Sequence, residues 1–140
     1  MTSEEIHLNP ALQEAGIEVT ETDFGEFIIQ LAGERPSHLV APAVHHTRES
    51  IARILSGHTG EALPDEAAAL AKAGRRLLRD KFRLADVGIT GANFAVAETG
   101  TIVLISNEGN ARLTTTIPRV HVALMGMEKV IPRWRRRGWK

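Results

Sequence analysis

The polar groups that could bind or transform a ligand concentrate between residues 88 and 116. Thr90-Gly91-Ala92-Asn93 stands at the start of one short predicted strand, and Asn107-Glu108-Gly109-Asn110 follows the next strand along the chain. If these two strands pair antiparallel about Glu98-Thr99-Gly100, the two polar segments lie at the same end of the hairpin. We therefore predict a polar corner built from residues 90–93 and 107–116.

Arg112 gives this corner its chemical character. A guanidinium among amides and hydroxyls suits a carboxylate or a phosphate, because it can donate two parallel hydrogen bonds to either group. The hydroxyls come from Thr114-Thr115-Thr116. The expected ligand-binding residues are Thr90, Gly91, Asn93, Asn107, Glu108, Gly109, Asn110 and Arg112. The alternative is ordinary turn chemistry, since Glu-Gly and Thr-Gly sequences also serve chain reversals that bind nothing.

Glu98 lies at the predicted hairpin tip, at the far end of a strand of about five residues and so roughly 20 Å from the corner. A carboxylate can act as a general base or accept an acyl group, which makes Glu98 the candidate catalytic residue. The competing interpretation is a solvated turn carboxylate without a chemical role, and this is the commoner case.

The histidines raise the question of a metal site. His45 and His46 are adjacent, and neighbouring side chains of a strand point to opposite faces, so we do not expect them to share a ligand. No HxH or HxxxH spacing accompanies them, and we predict no metal in this chain. His121 lies in an apolar run and is expected to sit in a strand with a hydrogen-bond partner.

Helices and strands alternate along the chain, which predicts an α/β domain. Caps and apolar periodicity place helices at residues 3–16, 24–31, 47–55 and 65–84, the second capped by Asp23 and the third by Thr47. Apolar alternation or short buried runs place strands at residues 17–22, 37–42, 87–90, 92–97, 101–106 and 119–126. A closing element follows at residues 128–132.

Length and composition limit the class of protein. The 140 residues suit one domain, and 17 basic side chains balance 17 acidic ones. The absence of cysteine excludes disulfides, a thiolate nucleophile and cysteine-bound iron–sulfur clusters within this chain. There is no apolar run near the roughly 20 residues that span a bilayer, and no signal-peptide pattern, so we expect a cytoplasmic protein that does not bind membranes.

The last eight residues, 133–140, are almost wholly basic and include two tryptophans. Such a tail could contact nucleic acid through phosphates and indole stacking. Chain ends are commonly disordered, however, and a frayed end is the interpretation that we favour. We therefore expect no nucleic-acid partner.

Four long strings of residues carry a further signal: ETDFGEFIIQL at 21–31, RPSH at 35–38, GITGANFAVAETGT at 88–101 and NEGN at 107–110. Together they resemble the LUD domain of the lactate utilization protein B family. The resemblance implies that residues 1–132 are a partial LUD domain and that 133–140 are a basic tail. It also implies a three-layer α/β fold of the NagB/RpiA/CoA-transferase type, of which this chain holds a part.

The same resemblance implies a role in the oxidation of L-lactate to pyruvate, alongside other lactate-utilization subunits. The family's iron–sulfur clusters bind in a cysteine-rich, ferredoxin-like region that this chain does not contain, so no cofactor is expected here. We expect the chain to begin after the family's first helices and leading strand.

Three functions remain open on these grounds. The first is the LUD portion of a lactate-oxidation protein, which binds a small carboxylate or partner subunits and is not a complete enzyme. The second is acyl or CoA transfer through Glu98, suggested by fold analogy alone. The third is a non-catalytic interaction module, since a domain without its leading strand exposes a sheet edge that favours pairing, and a homo-oligomer is expected on the same ground.

Overall fold

The computed structural model describes residues 6–35, 43–106 and 109–134. Its helices are α1 (Leu8–Glu14), α2 (Phe24–Ala32), α3 (Arg48–Thr59), α4 (Ala67–Leu84) and α5 (Asn110–Thr116). Its strands are β1 (Val87–Gly91), β2 (Phe94–Val96), β3 (Thr101–Val103), β4 (Val120–Leu124) and β5 (Val130–Ile131), and the 3-10 helix Met127–Lys129 precedes β5. The architecture is mixed α/β, as predicted. None of the described helices combines the length and the apolar character needed to cross a membrane.

The chain divides into two compact units. Gly16–Ala85 form the first, which we call the helical unit because it contains α2, α3 and α4. The described residues of Met1–Ala15 and Asp86–Lys140 form the second, which we call the sheet unit because it contains all five strands. The predicted polar corner therefore falls within the sheet unit alone.

The helical unit packs its three helices around small and aliphatic side chains. Its buried cluster consists of Ile28, Ala52, Leu55, Leu70 and Ala73. Gly74 lets α4 approach the ring of Phe24, because a Cβ at residue 74 would lie 2.3 Å from Phe24 Cε2. Close packing of this kind fixes the three helices relative to one another.

Side-chain caps set the helix boundaries. Asp23 Oδ1 accepts hydrogen bonds from the backbone N–H groups of Gly25 at 3.0 Å and Glu26 at 3.3 Å, which confirms the predicted start of α2. Thr47 Oγ1 accepts from Ser50 N at 3.3 Å and confirms the start of α3. The longest helix begins at Ala67, two residues later than predicted.

Residues 17–22 do not form a strand, and the prediction of one is wrong. Gln30 of α2 takes up the backbone groups that a strand partner would need: its Oε1 accepts from Glu21 N at 3.0 Å, and its Nε2 donates to Val19 O at 2.8 Å. These backbone groups already have hydrogen-bond partners in the Gln30 side chain, so they do not require the partners that a neighbouring β-strand would supply. The strand predicted at 37–42 lies outside the described residues.

The sheet unit contains one sheet of two strands and one of three. In the first, β1 runs parallel to β4, with Val87 opposite Val120 and Gly91 opposite Leu124. In the second, β2 is central, antiparallel to β3 and parallel to β5. The β2–β3 pair reverses through residues 97–100 and confirms the predicted hairpin.

One face of the β1–β4 sheet is apolar and open. Val120 and Val122 are 52% and 40% exposed, and Val87 and Ile89, which lie opposite them in register, are 47% and 36% exposed. The prediction that residues 119–126 form a buried strand is therefore wrong for the first half of β4. The opposite face carries Gly88, where α5 packs against β1.

Candidate functional site

The contact between α5 and β1 positions the residues of the polar corner. A Cβ at Gly88 would lie 2.0 Å from the backbone oxygen of Thr114, so only glycine allows α5 to come this close to the strand. Thr114 itself is buried. Residues carried by α5 are therefore held at one face of β1.

Thr90 lies on that same face, since side chains two residues apart along a strand share a face. Its Oγ1 lies 2.8 Å from Nε2 of His121, which belongs to the neighbouring strand β4. The prediction of a strand histidine with a hydrogen-bond partner is thus confirmed. His121, which sequence reasoning left out of the corner, is a polar group on the face that α5 covers in part.

The hairpin brings Asn93 to the point where β3 ends. Asn93 N donates to Val103 O at 2.9 Å, and Asn93 Oδ1 accepts from Ile105 N at 2.8 Å. This agrees with the predicted closeness of residues 90–93 to the segment that follows the second strand. Gly91 is the exposed last residue of β1, immediately before this turn.

Ser106 and Gly109 lead from the hairpin into α5. Gly109 N donates to Ser106 Oγ at 3.1 Å, and Gly109 has the positive φ of 80° that glycine adopts readily. Asn110 is the first residue of α5. Two of the predicted ligand-binding residues, Asn107 and Glu108, lie outside the described residues.

The threonine hydroxyls are less available than the sequence suggested. Thr114 Oγ1 donates to Asn110 O at 3.0 Å, and the hydroxyls of Thr115 and Thr116 donate to Arg112 O at 2.9 and 2.7 Å. The proton of each hydroxyl is therefore used inside α5, a helix that was not predicted from the sequence. These groups can still accept a hydrogen bond, but they do not present donors to an anion.

Arg112 is exposed in the first turn of α5. Among the residues that the structure describes, no acidic side chain forms an ion pair with it. Within the part of the chain that the structure describes, the corner has a second cation, Lys129, whose Nζ donates to Ala92 O at 3.2 Å.

Glu98 stands apart from the corner, in the turn at residues 97–100. Its Oε1 lies 3.5 Å from Nε of Arg133, and its backbone N–H donates to Pro132 O at 3.1 Å. Because β3, the strand between Glu98 and the corner, has three residues and not five, it spans roughly 10 Å, about half of the expected distance. Glu98 is exposed and paired with a cation, as a solvated turn carboxylate would be.

The first two residues of the basic tail contact the same hairpin. Trp134 stacks on Phe94 of β2, with ring centroids 5.3 Å apart, while Arg133 reaches Glu98. The prediction of a frayed end is therefore wrong for these two residues. Residues 135–140 lie outside the described part of the chain.

His45 and His46, in the helical unit, do share a partner. Residues 43–45 form a turn and not a strand, so the argument that the two rings must diverge is wrong. His45 Nε2 lies 2.8 Å and His46 Nε2 lies 3.1 Å from the same oxygen, Glu34 Oε2. The hydrogen bond with His45, helped by the charges of both histidines, lowers the pKa of Glu34.

The helical unit also has a shallow, solvent-open depression beside α3. Its lining residues are Glu49, Ala52, Arg53, Ser56, Ala62, Leu63 and Asp65. The charged side chains among them are exposed, so water competes strongly with any ligand for them. The polar corner remains the better candidate for a small anion.

Comparison with known proteins gives a consistent result. The family described as LUD domain matches residues 4–136. The Uncharacterized electron transport protein YkgF of Escherichia coli is 50% identical over 132 residues, which are 94% of this chain and 28% of that protein. Lactate utilization protein B of Shouchella clausii is 49% identical over 135 residues, and that of Lysinibacillus sphaericus is 50% identical over 133.

These two alignments cover 96% and 94% of this chain and 28% of each relative. The chain thus spans 28% of the length of the curated relatives that it matches. No solved structure matches the chain.

Proposed function

Since the chain belongs to the LUD domain family, we propose that it is the LUD portion of a lactate utilization protein and that it binds a small carboxylate at the polar corner. The observation that carries this proposal is Arg112, an exposed guanidinium with no ion-pair partner among the described residues. A guanidinium of this kind is well suited to a carboxylate.

The surroundings of α5 support the same ligand. This helix, which carries Arg112, packs against the strand face that carries Thr90 and His121. Asn93, held by Ile105, stands where β3 ends and the chain turns toward α5. Lys129 Nζ, which donates to Ala92 O at 3.2 Å, adds a second positive charge at residues 90–93, and this charge also suits an anion.

The names of the relatives narrow the ligand class. Two of them are called lactate utilization protein B, and lactate and its oxidation product pyruvate are both small monocarboxylates. We propose that this chain contributes binding and not electron transfer, since it holds no cysteine that could bind an iron–sulfur cluster. Electron transfer would then fall to other parts of a longer protein or to partner subunits.

We further propose that the two small sheets belong to a three-layer domain of the NagB/RpiA/CoA-transferase type. The open apolar face formed by Val87, Ile89, Val120 and Val122 supports this, because such a face is normally covered by another layer. When this chain is present without other segments or subunits, we propose that a second copy of it covers the apolar face, so that the protein is a homo-oligomer. Acyl transfer through Glu98 stays a prediction made from the sequence. The same holds for a cytoplasmic location.

The carboxylate proposal is tested by calorimetric titration of the full 140-residue chain with pyruvate and with L-lactate. Binding at millimolar concentration or tighter is expected, and Arg112→Ala should weaken it by ~10-fold or more, since hydrogen bonds to charged groups contribute about 1.5–3 kcal/mol. Arg79→Ala is the matched control, because it removes the same charge from an exposed position of α4. Equal affinity in the Arg112 variant, or no binding by the parent chain, would contradict the proposal.

A further inference from the structure

Three side chains of the helical unit converge on one point. Glu34, which follows α2, and His45 and His46, which precede α3, bring Oε2 and the two Nε2 atoms within 4.8 Å of one another. The two imidazole rings lie with their centroids 4.2 Å apart and their planes at 42°. One carboxylate oxygen thus faces two ring nitrogens, 2.8 and 3.1 Å away.

The hydrogen bonds of Ser50 fix the orientation of His46. Ser50 Oγ lies 2.9 Å from Thr47 O, to which it can donate, and 3.0 Å from His46 Nδ1. When the hydroxyl proton is directed at Thr47 O, the Ser50 oxygen accepts a hydrogen bond from Nδ1–H of His46. In a neutral imidazole, this leaves the lone pair on Nε2, directed at Glu34 Oε2.

A lone pair facing an ionised carboxylate is repulsive, because both groups are acceptors. In this tautomer, a proton or a metal ion bound at Nε2 of His46 makes the contact with Glu34 favourable. A proton would satisfy one ring only, whereas a metal ion would be shared by all three ligand atoms.

We propose that Glu34, His45 and His46 bind one divalent transition-metal ion, a site independent of the carboxylate corner. Two imidazoles and one carboxylate form a ligand set that zinc accepts, with a fourth position left for water or another ligand. Metal–ligand bonds of about 2.0–2.2 Å place neighbouring ligand atoms of a tetrahedron roughly 3.4 Å apart. The two contacts of Glu34 Oε2, at 2.8 and 3.1 Å, therefore need to open by roughly 0.6 and 0.3 Å, and the two ring nitrogens already lie within 4.8 Å of each other.

The surroundings of the three ligands favour such an adjustment. The side chains of His45 and Glu34 are 38% and 44% exposed and can move, while that of His46 is 9% exposed and is anchored by Ser50. A metal-bound histidine commonly donates its second ring N–H to a neighbour, and Ser50 Oγ, 3.0 Å from Nδ1 of His46, can accept such a bond. The site would also tie the end of α2 to the start of α3.

The direct test is titration of the full chain with Zn²⁺ in competition with a chromogenic chelator at neutral pH. We expect one ion per chain with a dissociation constant in the micromolar range or below. His46→Gln and Glu34→Gln should each weaken binding by ~100-fold, and Ser50→Ala, which removes only the positioning contact, by ~10-fold. His58→Gln is the matched control, since His58 contacts Leu31 O instead of this cluster, and it should leave affinity unchanged.

Circular dichroism of each variant establishes that loss of binding is not loss of fold. Binding with the same affinity in the parent, His46→Gln and Glu34→Gln proteins would overturn the proposal, because the ion would then bind elsewhere. Absence of Zn²⁺ binding, with both rings titrating as a proton-linked pair in NMR spectra, would also overturn it and assign the charge at Nε2 to a proton.

Discussion

At the scale of single residues, the ion pair of Glu18 and Lys81 links the start of the helical unit to the last turn of α4. The hydrogen bond and the positive charge of Lys81 lower the pKa of Glu18 from its usual value of 4.5. A carboxyl group with a lower pKa in the folded state stabilises the protein above its unfolded pKa and loses that effect as the pH falls through the folded value. Both side chains are exposed, so the effect is small.

Glu18→Gln should therefore lower the Tm slightly at pH 7, and the difference from the parent protein should vanish as the pH falls well below 4.5. Thermal unfolding followed by circular dichroism across this range measures it. Glu14→Gln, which removes an exposed carboxylate of α1, is the control. A Tm difference that stays constant from neutral to acid pH would show that the pair does not act through ionisation.

Several positions of the candidate site could be predicted from residue types, and others could not. Asn93 was placed correctly because a short antiparallel hairpin leaves few choices for the residue at its open end. The prediction that the side chains of His45 and His46 diverge was wrong. Both contact Glu34, which lies 11 and 12 positions before them in the chain, and a turn brings these residues together. The neighbouring positions of the two histidines in the sequence do not indicate this shared contact.

At the scale of secondary-structure elements, the approach of α5 to β1 depends on Gly88. Gly88→Ala should destabilise the protein by about 1–3 kcal/mol, because the added methyl group meets the backbone oxygen of Thr114 and something must shift. Chemical denaturation gives the free energy of unfolding. The same variant should weaken carboxylate binding, since α5 carries Arg112.

The neighbouring glycine of the same strand provides the control for this prediction. A Cβ at Gly91 would meet its nearest atom, Leu124 O, at 3.9 Å, an ordinary contact. Gly91→Ala should leave stability nearly unchanged. Equal destabilisation by both substitutions would mean that general glycine flexibility, and not the packing of α5, explains the effect.

The elements that were predicted well are the helices whose first residues follow a capping side chain. Asp23 and Thr47 accept hydrogen bonds from the first turns of α2 and α3 as expected. α5 was missed because threonine has a weak helix preference, and here its hydroxyls bond back to the helix's own carbonyls. The strand at 17–22 was predicted wrongly because the amide of Gln30 competes for its backbone.

At the scale of the whole molecule, the open face of the β1–β4 sheet predicts self-association. Size-exclusion chromatography with light scattering should give a mass above that of one chain. Val120→Lys places a charge on the apolar face and should shift the protein toward the monomer. Met127→Lys, at a residue 91% exposed outside this face, should not. A parent protein that is monomeric at all concentrations would contradict the proposed role of the face.

The α/β class could be predicted from the alternation of helical and strand patterns, because each pattern is local. The division into a two-stranded and a three-stranded sheet could not, since the partners of β2, β3 and β5 depend on contacts between distant residues. The family was recognisable because the strings at 21–31 and 88–101 are long and specific, and the match to residues 4–136 bears this out.

The most direct test of the central claim is an NMR titration of the ¹⁵N-labelled chain with pyruvate. We expect the amide signals of Gly91, Asn93 and Gly109 to shift along one common saturation curve. Amides of the helical unit should stay in place, and Arg112→Ala should abolish the shifts. Unchanged spectra, or shifts confined to residues 16–85, would contradict a carboxylate site at the polar corner.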